Sequence, residues 1–466
     1  MKTLRIKQRH MHQHFFLMGD SGAGKSKLKR QFLWNCEQKN QTAVVFDPEC
    51  EFIKEFYCAE RGDVVLNPKD ERCPDWNIFD EVTDEADALA VATSQFPEQA
   101  LDNSSSGRFF HGHCVGVYGY LLAYGKKTVN GTDPAHTKDL GYWLAHPEEE
   151  IDPRLVGSEH VTTLSRNTPN MRGGVLGTLN DAGKALRMMP GADEGRKPFS
   201  VREWAKQRRG WIFITSTPET ETALRPLQSM WADLIFLRLL STPEEPAAIL
   251  GKVLGRQPEQ SVTVVLEELG NLQHLTQLPN AITRMRKRRH TIIMGLQNRE
   301  QLERIYGKHA KTIFSQCRTK FIFATSEEES AKALQGLIGE IEVLRLRESF
   351  NEGKGAMAPR SWSTERVREP LVMASEIQRL EDMECYMVQR GTVVKLRLPN
   401  VEIDPVAPAL IERKIPPMER RPLVQVEQEA APQSSSGPPT QPPAGGGLGP
   451  GRRPLIEPLR EPNIGI

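Results

Sequence analysis

The chain has 466 residues, of which 38% are apolar, enough for about three ordinary globular domains. Its 61 Lys and Arg against 60 Asp and Glu give a formal net charge of +1, so any surface for a polyanionic partner must be local. Its seven cysteines contain no C-x-x-C pair, which is typical of reduced thiols in a cytosolic protein.

The sequence predicts neither a secretion signal nor a membrane span. The N-terminus lacks the apolar segment of a signal peptide. Residues 109–125 carry no charge but include four glycines and two histidines, so they are interpreted as a buried helix. His10, His12 and His14 are interpreted as solvated strand residues, with metal binding as the less favoured alternative.

Short, nearly continuous apolar runs recur along the chain, as in strands that are buried on both faces. They occupy residues 15–18, 43–46, 211–214, 262–266, 292–294 and 321–323. Helix-period segments separate most of them, at 224–240, 278–289, 299–314 and 327–338. This alternation predicts an α/β fold around a mainly parallel sheet.

The strand pattern is interrupted between about residues 80 and 198, where helices are predicted near 85–95, 109–124 and 176–188. The simplest interpretation is an all-α domain, 80–198, inserted into a discontinuous motor domain. The motor domain then comprises residues 1–79 and 199–404. A closing hairpin is predicted where two apolar runs flank Arg390-Gly391.

Residues 405–466 are predicted to form a flexible tail. Nine prolines and six glycines lie between Pro432 and Pro462, a composition typical of low-complexity chain. Such a tail is expected to be disordered and to act as a solvated tether.

The run at 15–18 is followed at once by a phosphate-binding motif. It matches G-x-x-x-x-G-K-[ST] at every fixed position, in the order Gly19, Asp20, Ser21, Gly22, Ala23, Gly24, Lys25, Ser26. Backbone N–H groups of such a loop wrap phosphates, the lysine reaches the β- and γ-phosphates, and the serine hydroxyl ligates Mg²⁺. The motif therefore predicts a site for ATP and Mg²⁺.

Two further strand ends carry polar residues suited to an ATPase. The run at 262–266 ends in Glu267 and Glu268, which are predicted to ligate Mg²⁺ and to act as the catalytic base, respectively. Taken alone, paired acids at a strand end are as often a solvated turn as a metal site. The P-loop upstream favours the metal site. Gln297 follows the next strand and is predicted to sense the γ-phosphate.

Other segments occur in a specific order along the chain: Asp47-Pro48-Glu49, 62–68, 223–227, Gln301-Leu302 and Tyr306-Gly307. With the P-loop and Glu267-Glu268-Leu269, they resemble the type IV secretion coupling proteins of bacterial conjugation (TraD/TrwB-like), from about His14 to Leu398. The resemblance implies a RecA-like motor ATPase that forms a hexameric ring and binds single- or double-stranded DNA without sequence preference. It also implies a relaxase or relaxosome and the secretion machinery as partners.

The resemblance also implies a role for Arg286, which matches an arginine that reaches the nucleotide of a neighbouring subunit. Arg286 lies within the basic run 284–289. For the other basic residues of that run, two interpretations remain open: a solvated helix face, or contact with phosphate groups. Two features depart from the family. Glu267 replaces the usual Asp, and the chain begins 18 residues before Gly19, without the usual upstream membrane helices.

The departure at the N-terminus leaves a soluble relative and a truncated start both open. The protein is expected in the cytoplasm, with a peripheral position at the inner face of the inner membrane as the alternative.

The predicted function is an ATP-dependent DNA-binding motor that links the relaxosome to a type IV secretion channel and drives DNA transfer in conjugation. Two alternatives remain: a related DNA packaging or segregation translocase, and a nucleotide-gated docking adaptor with little turnover. DNA-stimulated ATPase activity would separate the motors from the adaptor.

Overall fold

The computed structural model describes residues 6, 8–97, 105–125, 135–242, 261–350 and 360–415. Within them lie thirteen strands: β1 (Phe15–Met18), β2 (Thr42–Asp47), β3 (Val64–Leu66), β4 (Asp75–Trp76), β5 (Pro198–Phe199), β6 (Ile212–Thr215), β7 (Val262–Leu266), β8 (Thr291–Leu296), β9 (Thr319–Ile322), β10 (Glu340–Phe350), β11 (Arg360–Pro370), β12 (Glu384–Gln389) and β13 (Thr392–Arg397). The α-helices are Gln8–Met11, Lys25–Gln38, Ile53–Phe56, Glu85–Gln95, Ser105–Tyr124, Thr137–Ala145, Asp152–Leu155, Pro169–Leu186, Val201–Gln207, Glu221–Ser241, Leu278–Arg284, Arg299–Tyr306, His309–Gln316, Glu328–Ile338 and Ala374–Gln378.

Nine strands form one sheet, in the order β13-β12-β9-β1-β8-β7-β2-β6-β3. The pairings from β9 to β3 are all parallel, and β12 joins β9 antiparallel. All six strands predicted from apolar runs are present, and the predicted α/β fold is confirmed. The sheet places the ends of β1, β8 and β7 side by side, so the residues that follow these strands meet at one edge.

Alternate residues of each central strand enter different cores. Phe16 and Met18 face a large core shared with the long helix Glu221–Ser241, whereas Phe15 and Leu17 face the helix Lys25–Gln38. Both sets are buried, which explains why β1 is a continuous apolar run.

The helical segment between β4 and β5 packs on the first of these cores. Val91, Tyr118 and Leu179 belong to the same buried cluster as Phe16 and Val264 of the sheet. The division into an inserted domain at 80–198 stays a prediction, because the segment and the sheet share one continuous core. Among the described residues, no helix is long and apolar enough to cross a membrane.

Two helix predictions differ from the structure. The pattern at 299–314 is broken into two helices at Gly307, whose φ of 49° and ψ of −122° end the first helix. The predicted helix at 278–289 ends at Arg284, and the basic residues that follow lie in turns before β8. Gly307 was a local signal for the end of the first helix, because glycine is common at helix C-termini. The basic run after Arg284 carried no such signal.

The first residues of the predicted tail contact the rest of the chain. Residues 405–415 are described. Glu412 forms an isolated antiparallel β-bridge with Asp70, and the Arg413 N–H donates to the backbone carbonyl of Lys69. Arg413 is buried, and its guanidinium pairs with Glu194 at 2.6 Å. A buried ion pair therefore holds the chain beyond residue 404, and the boundary at 404/405 stays a prediction. Residues 416–466, where most of the predicted tail falls, lie outside the described residues.

Candidate nucleotide-binding site

The P-loop connects β1 to the helix Lys25–Gln38 through three glycines with positive φ. Gly19, Gly22 and Gly24 have φ values of 147°, 80° and 110°, which residues with a Cβ rarely adopt. A Cβ at residue 19 would also lie 2.6 Å from the Cβ of Phe323. The backbone path of the loop therefore requires glycine at these positions.

Asp20 ties this loop to the chain after β9. Its carboxylate accepts hydrogen bonds from the N–H and hydroxyl of Ser326 at 2.6 and 2.7 Å, and from the Thr325 hydroxyl at 3.1 Å. Asp20 therefore fixes the loop from the rim rather than lining the phosphate position with its charge.

Lys25 is buried at the start of the P-loop helix. Its Nζ donates to the carbonyl oxygens of Gly19 and Asp20 at 2.7 and 2.9 Å. Burial lowers the pKa of Lys25, and the nearby carboxylate of Glu268 opposes that shift. The ammonium rests on the loop carbonyls, in the place from which it could meet phosphate oxygens.

Ser26 and Glu267 are in direct contact. The Ser26 hydroxyl donates to Oε1 of Glu267 at 2.6 Å, although 241 residues separate them in sequence. The Glu267 N–H donates to Phe46 of β2 at 3.1 Å, which extends the β7 pairing and fixes the backbone at the strand end. A hydroxyl and a carboxylate are hard oxygen donors of the kind that Mg²⁺ takes, so these two residues fit a magnesium ion.

Glu268, the next residue, is half-buried, and its charge acts on Lys25. Its Oε1 is buried and accepts no hydrogen bond from the described part of the chain. Burial raises the pKa of Glu268, while the charges of Lys25 and Lys29 oppose that rise. A buried carboxylate oxygen beside the P-loop lysine has the properties of a general base.

Gln297 and Arg286 occupy opposite edges of the sheet. Gln297 directly follows β8, at the edge that carries the P-loop, and its side chain is exposed. Arg286 precedes β8 and is exposed near His14, at the start of β1. The structure thus brings Lys25, Ser26, Glu267 and Glu268 together and leaves Arg286 apart from them within one chain.

The sequence analysis missed a second lysine in this site. Lys29 has a fully buried side chain, and its Nζ lies 2.8 Å from Oε2 of Glu267. The only sequence signal was its position four residues after Lys25, which places the two on one helix face.

The interpretation of the N-terminal histidines as solvated strand residues is wrong. His10 lies in the helix Gln8–Met11, and His14, at the start of β1, is buried. Nδ1 of His14 accepts the Ile292 N–H at 3.1 Å. No group of three metal-ligating side chains occurs among the described residues.

The chain matches known coupling proteins along most of its length. Residues 1–399 match the family model described as "Type IV secretion-system coupling protein DNA-binding domain". Coupling protein TraD of Escherichia coli (strain K12) is 28% identical over 422 residues, which are 88% of this chain and 56% of that protein. The chain therefore spans about half the length of this curated relative.

Solved structures give the same result. The conjugative coupling protein TrwBdeltaN70, in its unbound form, superposes with a TM-score of 0.73 at 26% identity, covering 87% of this chain and 88% of that chain. The plasmid coupling protein TrwB in complex with ADP and Mg²⁺ gives a TM-score of 0.73 at 25% identity, covering 87% and 89%. By its sequence, its fold and its P-loop site, the chain belongs to the type IV secretion-system coupling protein DNA-binding domain family.

Proposed function

We propose that this protein is an ATP-dependent DNA-binding motor of conjugation. The observation that carries the proposal is the convergence of Lys25, Ser26, Glu267 and Glu268 at one edge of the sheet. Family membership supports a coupling function, and TrwB is a relative solved with ADP and Mg²⁺. The arrangement suits hydrolysis as well as binding, because it pairs a phosphate loop with a buried base.

Each group then has a distinct task. The N–H groups of residues 19–26 and the Lys25 ammonium bind the phosphates of ATP. Ser26 and Glu267 hold Mg²⁺, which neutralises charge on the phosphate oxygens. Glu268 orients the attacking water and accepts its proton, and Gln297 senses the γ-phosphate from the end of β8.

Arg286 is proposed to act from a neighbouring subunit. Its place at the opposite edge of the sheet keeps it from the P-loop of its own chain, so it can serve only a ring in which another protomer's site faces it. This supports a homo-oligomer, of which a hexamer is the proposed form. DNA is the proposed client, and the relaxosome and the secretion channel are the proposed partners.

ATP turnover with and without single-stranded DNA tests the proposal. We expect basal turnover that rises several-fold with DNA, and we expect Lys25→Ala to abolish both activities while the protein stays folded by circular dichroism, because the ammonium stabilises phosphate charge. A nucleotide-gated adaptor would instead bind ATP and turn it over slowly whether or not DNA is present. Undiminished turnover in folded Lys25→Ala would refute the assigned site.

A further inference from the structure

The second buried lysine, Lys29, places a charged group in the interior of the protein, next to Glu267. Its side chain is 0% exposed, and its Nζ forms an ion pair with Oε2 of Glu267 at 2.8 Å. The same Nζ donates to the backbone carbonyl of Glu267. A lysine is almost never fully buried unless it is paired, so this contact is the reason that its charge is tolerated here.

The site has room built for this ammonium. Gly295 of β8 lies directly beside it, and a Cβ at that position would collide with both the Lys29 Nζ and the Glu267 carbonyl. The cavity for the ammonium therefore depends on the glycine, and any larger residue at 295 would displace the pair.

The two oxygens of Glu267 thus have different partners. Oε1 accepts the Ser26 hydroxyl, and Oε2 faces Lys29. The side chain of Glu267, one methylene longer than that of aspartate, contacts Ser26 and Lys29 at once. Lys29 also influences Lys25 and Glu268 through its charge. The carboxyl groups of Asp20, Asp47 and Glu51 also act on Lys25 or Glu267 through charge, so Lys29 offsets part of an excess of carboxyl groups at the phosphate end of the sheet.

We infer that Lys29 is a resident counter-charge for Glu267, which lowers the affinity of the site for a divalent cation and raises its affinity for metal-free nucleotide. This inference deepens the proposed function, on which it rests. A unit charge in contact with a metal-ligating carboxylate opposes a divalent cation and attracts a polyphosphate anion. Removing it must change the two affinities in opposite directions. Loss of a merely structural contact would weaken both.

The test measures two dissociation constants. ADP binding is measured by calorimetry in EDTA, and Mn²⁺ binding to the ADP complex is measured by electron paramagnetic resonance. Lys29→Gln keeps an N–H donor for Glu267 and removes the charge. We expect Lys29→Gln to bind Mn²⁺ about tenfold more tightly and metal-free ADP severalfold more weakly. The matched control is Lys27→Met, which removes the same charge from a partly exposed position of the same helix and should change neither constant.

The outcomes separate the inference from the proposed function. If Lys29→Gln weakens both affinities, or changes neither, Lys29 is not a counter-charge. If Lys29→Gln does not fold, Glu267→Gln serves instead: it leaves the Lys29 charge unbalanced, so metal-free ADP must bind more tightly than to the native protein, and unchanged or weaker binding overturns the inference. Native protein that binds no ADP, with or without Mn²⁺, refutes the nucleotide site itself.

Discussion

Single residues set the chemistry of this site through burial and charge. Lys25 is buried and Glu268 is half-buried, and burial alone would lower the pKa of the first and raise the pKa of the second toward loss of charge. The charge of each group opposes that effect in the other. The Glu268 carboxyl group is therefore coupled to the P-loop lysine, beside which a base is needed.

The first prediction concerns Glu268→Gln. The variant should bind ATP with little change in affinity and hydrolyse it about 10²–10⁴-fold more slowly, because the amide cannot accept the proton of the attacking water. Single-turnover hydrolysis and ATP binding, measured on the same preparation, check this. Native rates in the variant would assign the base to another group.

A second prediction follows from buried histidines at the amino edge of the sheet. Burial lowers the pKa of His14 to about 4 and that of His290 to about 3, with further lowering of the His14 pKa by the charges of His12 and Arg286. The unfolded chain, with a histidine pKa near 6.5, binds protons first as the pH falls. The stability that these histidines contribute is therefore complete above about pH 6.5 and is lost at lower pH, by roughly 2 kcal/mol for each at pH 5.

Urea unfolding at pH 7.5, 6 and 5 measures this loss. His14→Asn retains a side-chain acceptor for the Ile292 N–H and tolerates the positive φ of this position, and it should show a shallower decline than the native protein. His10→Asn, at a partly exposed position, is the control and should follow the native curve. An equally steep decline in His14→Asn would show that other groups cause the acid sensitivity.

A helix or strand can be predicted from the sequence where nearby residues indicate both its type and its ends. The hairpin β12–β13 is an example, because Arg390 and Gly391 have φ values of 49° and 78°, as a two-residue turn of type I′ requires. The hairpin β10–β11 was missed, since its strands are largely exposed and carry charged residues on both faces. Strand patterns are informative only where one face is buried.

The third prediction concerns the segment at 405–415, which Arg413 fastens to the body. Its guanidinium donates to Glu194 and to the carbonyl oxygens of Pro68 and Met188 at 2.6 and 2.8 Å. Arg413→Met should lower the free energy of unfolding by about 3 kcal/mol, because it removes the buried hydrogen bonds to the Glu194 carboxylate and to two carbonyl oxygens, although Arg196 still pairs with Glu194.

Arg397→Met is the matched control, because its partner Glu381 and Arg397 itself are both exposed. An exposed pair of this kind contributes at most about 1 kcal/mol. Equal losses in the two variants, measured by urea unfolding, would mean that Arg413 does not hold the segment in place.

At the scale of the whole molecule, the parallel sheet decides which residues can act together. Residues that follow strands share one edge with the P-loop, and residues that precede strands share the other. Arg286 belongs to the second group, exposed and near His14. A single chain therefore cannot bring Arg286 to its own nucleotide, and only an assembly could use it for catalysis.

The fourth prediction tests that assembly. Arg286→Ala and Lys25→Ala should each be nearly inactive, since arginine fingers contribute about 10³–10⁵ in rate. Mixing the two variants should restore part of the ATP turnover, because some interfaces then pair an intact P-loop with an intact arginine. The measurement needs DNA or a high protein concentration, with sedimentation to verify mixed oligomers. Mixed oligomers that stay inactive would exclude Arg286 as a residue acting in trans.

The sequence by itself determined the α/β fold, the six central strands, the P-loop and the carboxylates at the end of β7. Each of these depends on residues that are adjacent in the chain, such as a buried run followed by glycines with a lysine. Only the tertiary structure decided the partners of Lys29, Arg413 and His14. Glu267 lies 238 residues from Lys29 and Glu194 lies 219 residues from Arg413, so these contacts depend on how strands and helices are placed in space. No local pattern encodes a distance between segments so far apart, because packing of the two cores sets it.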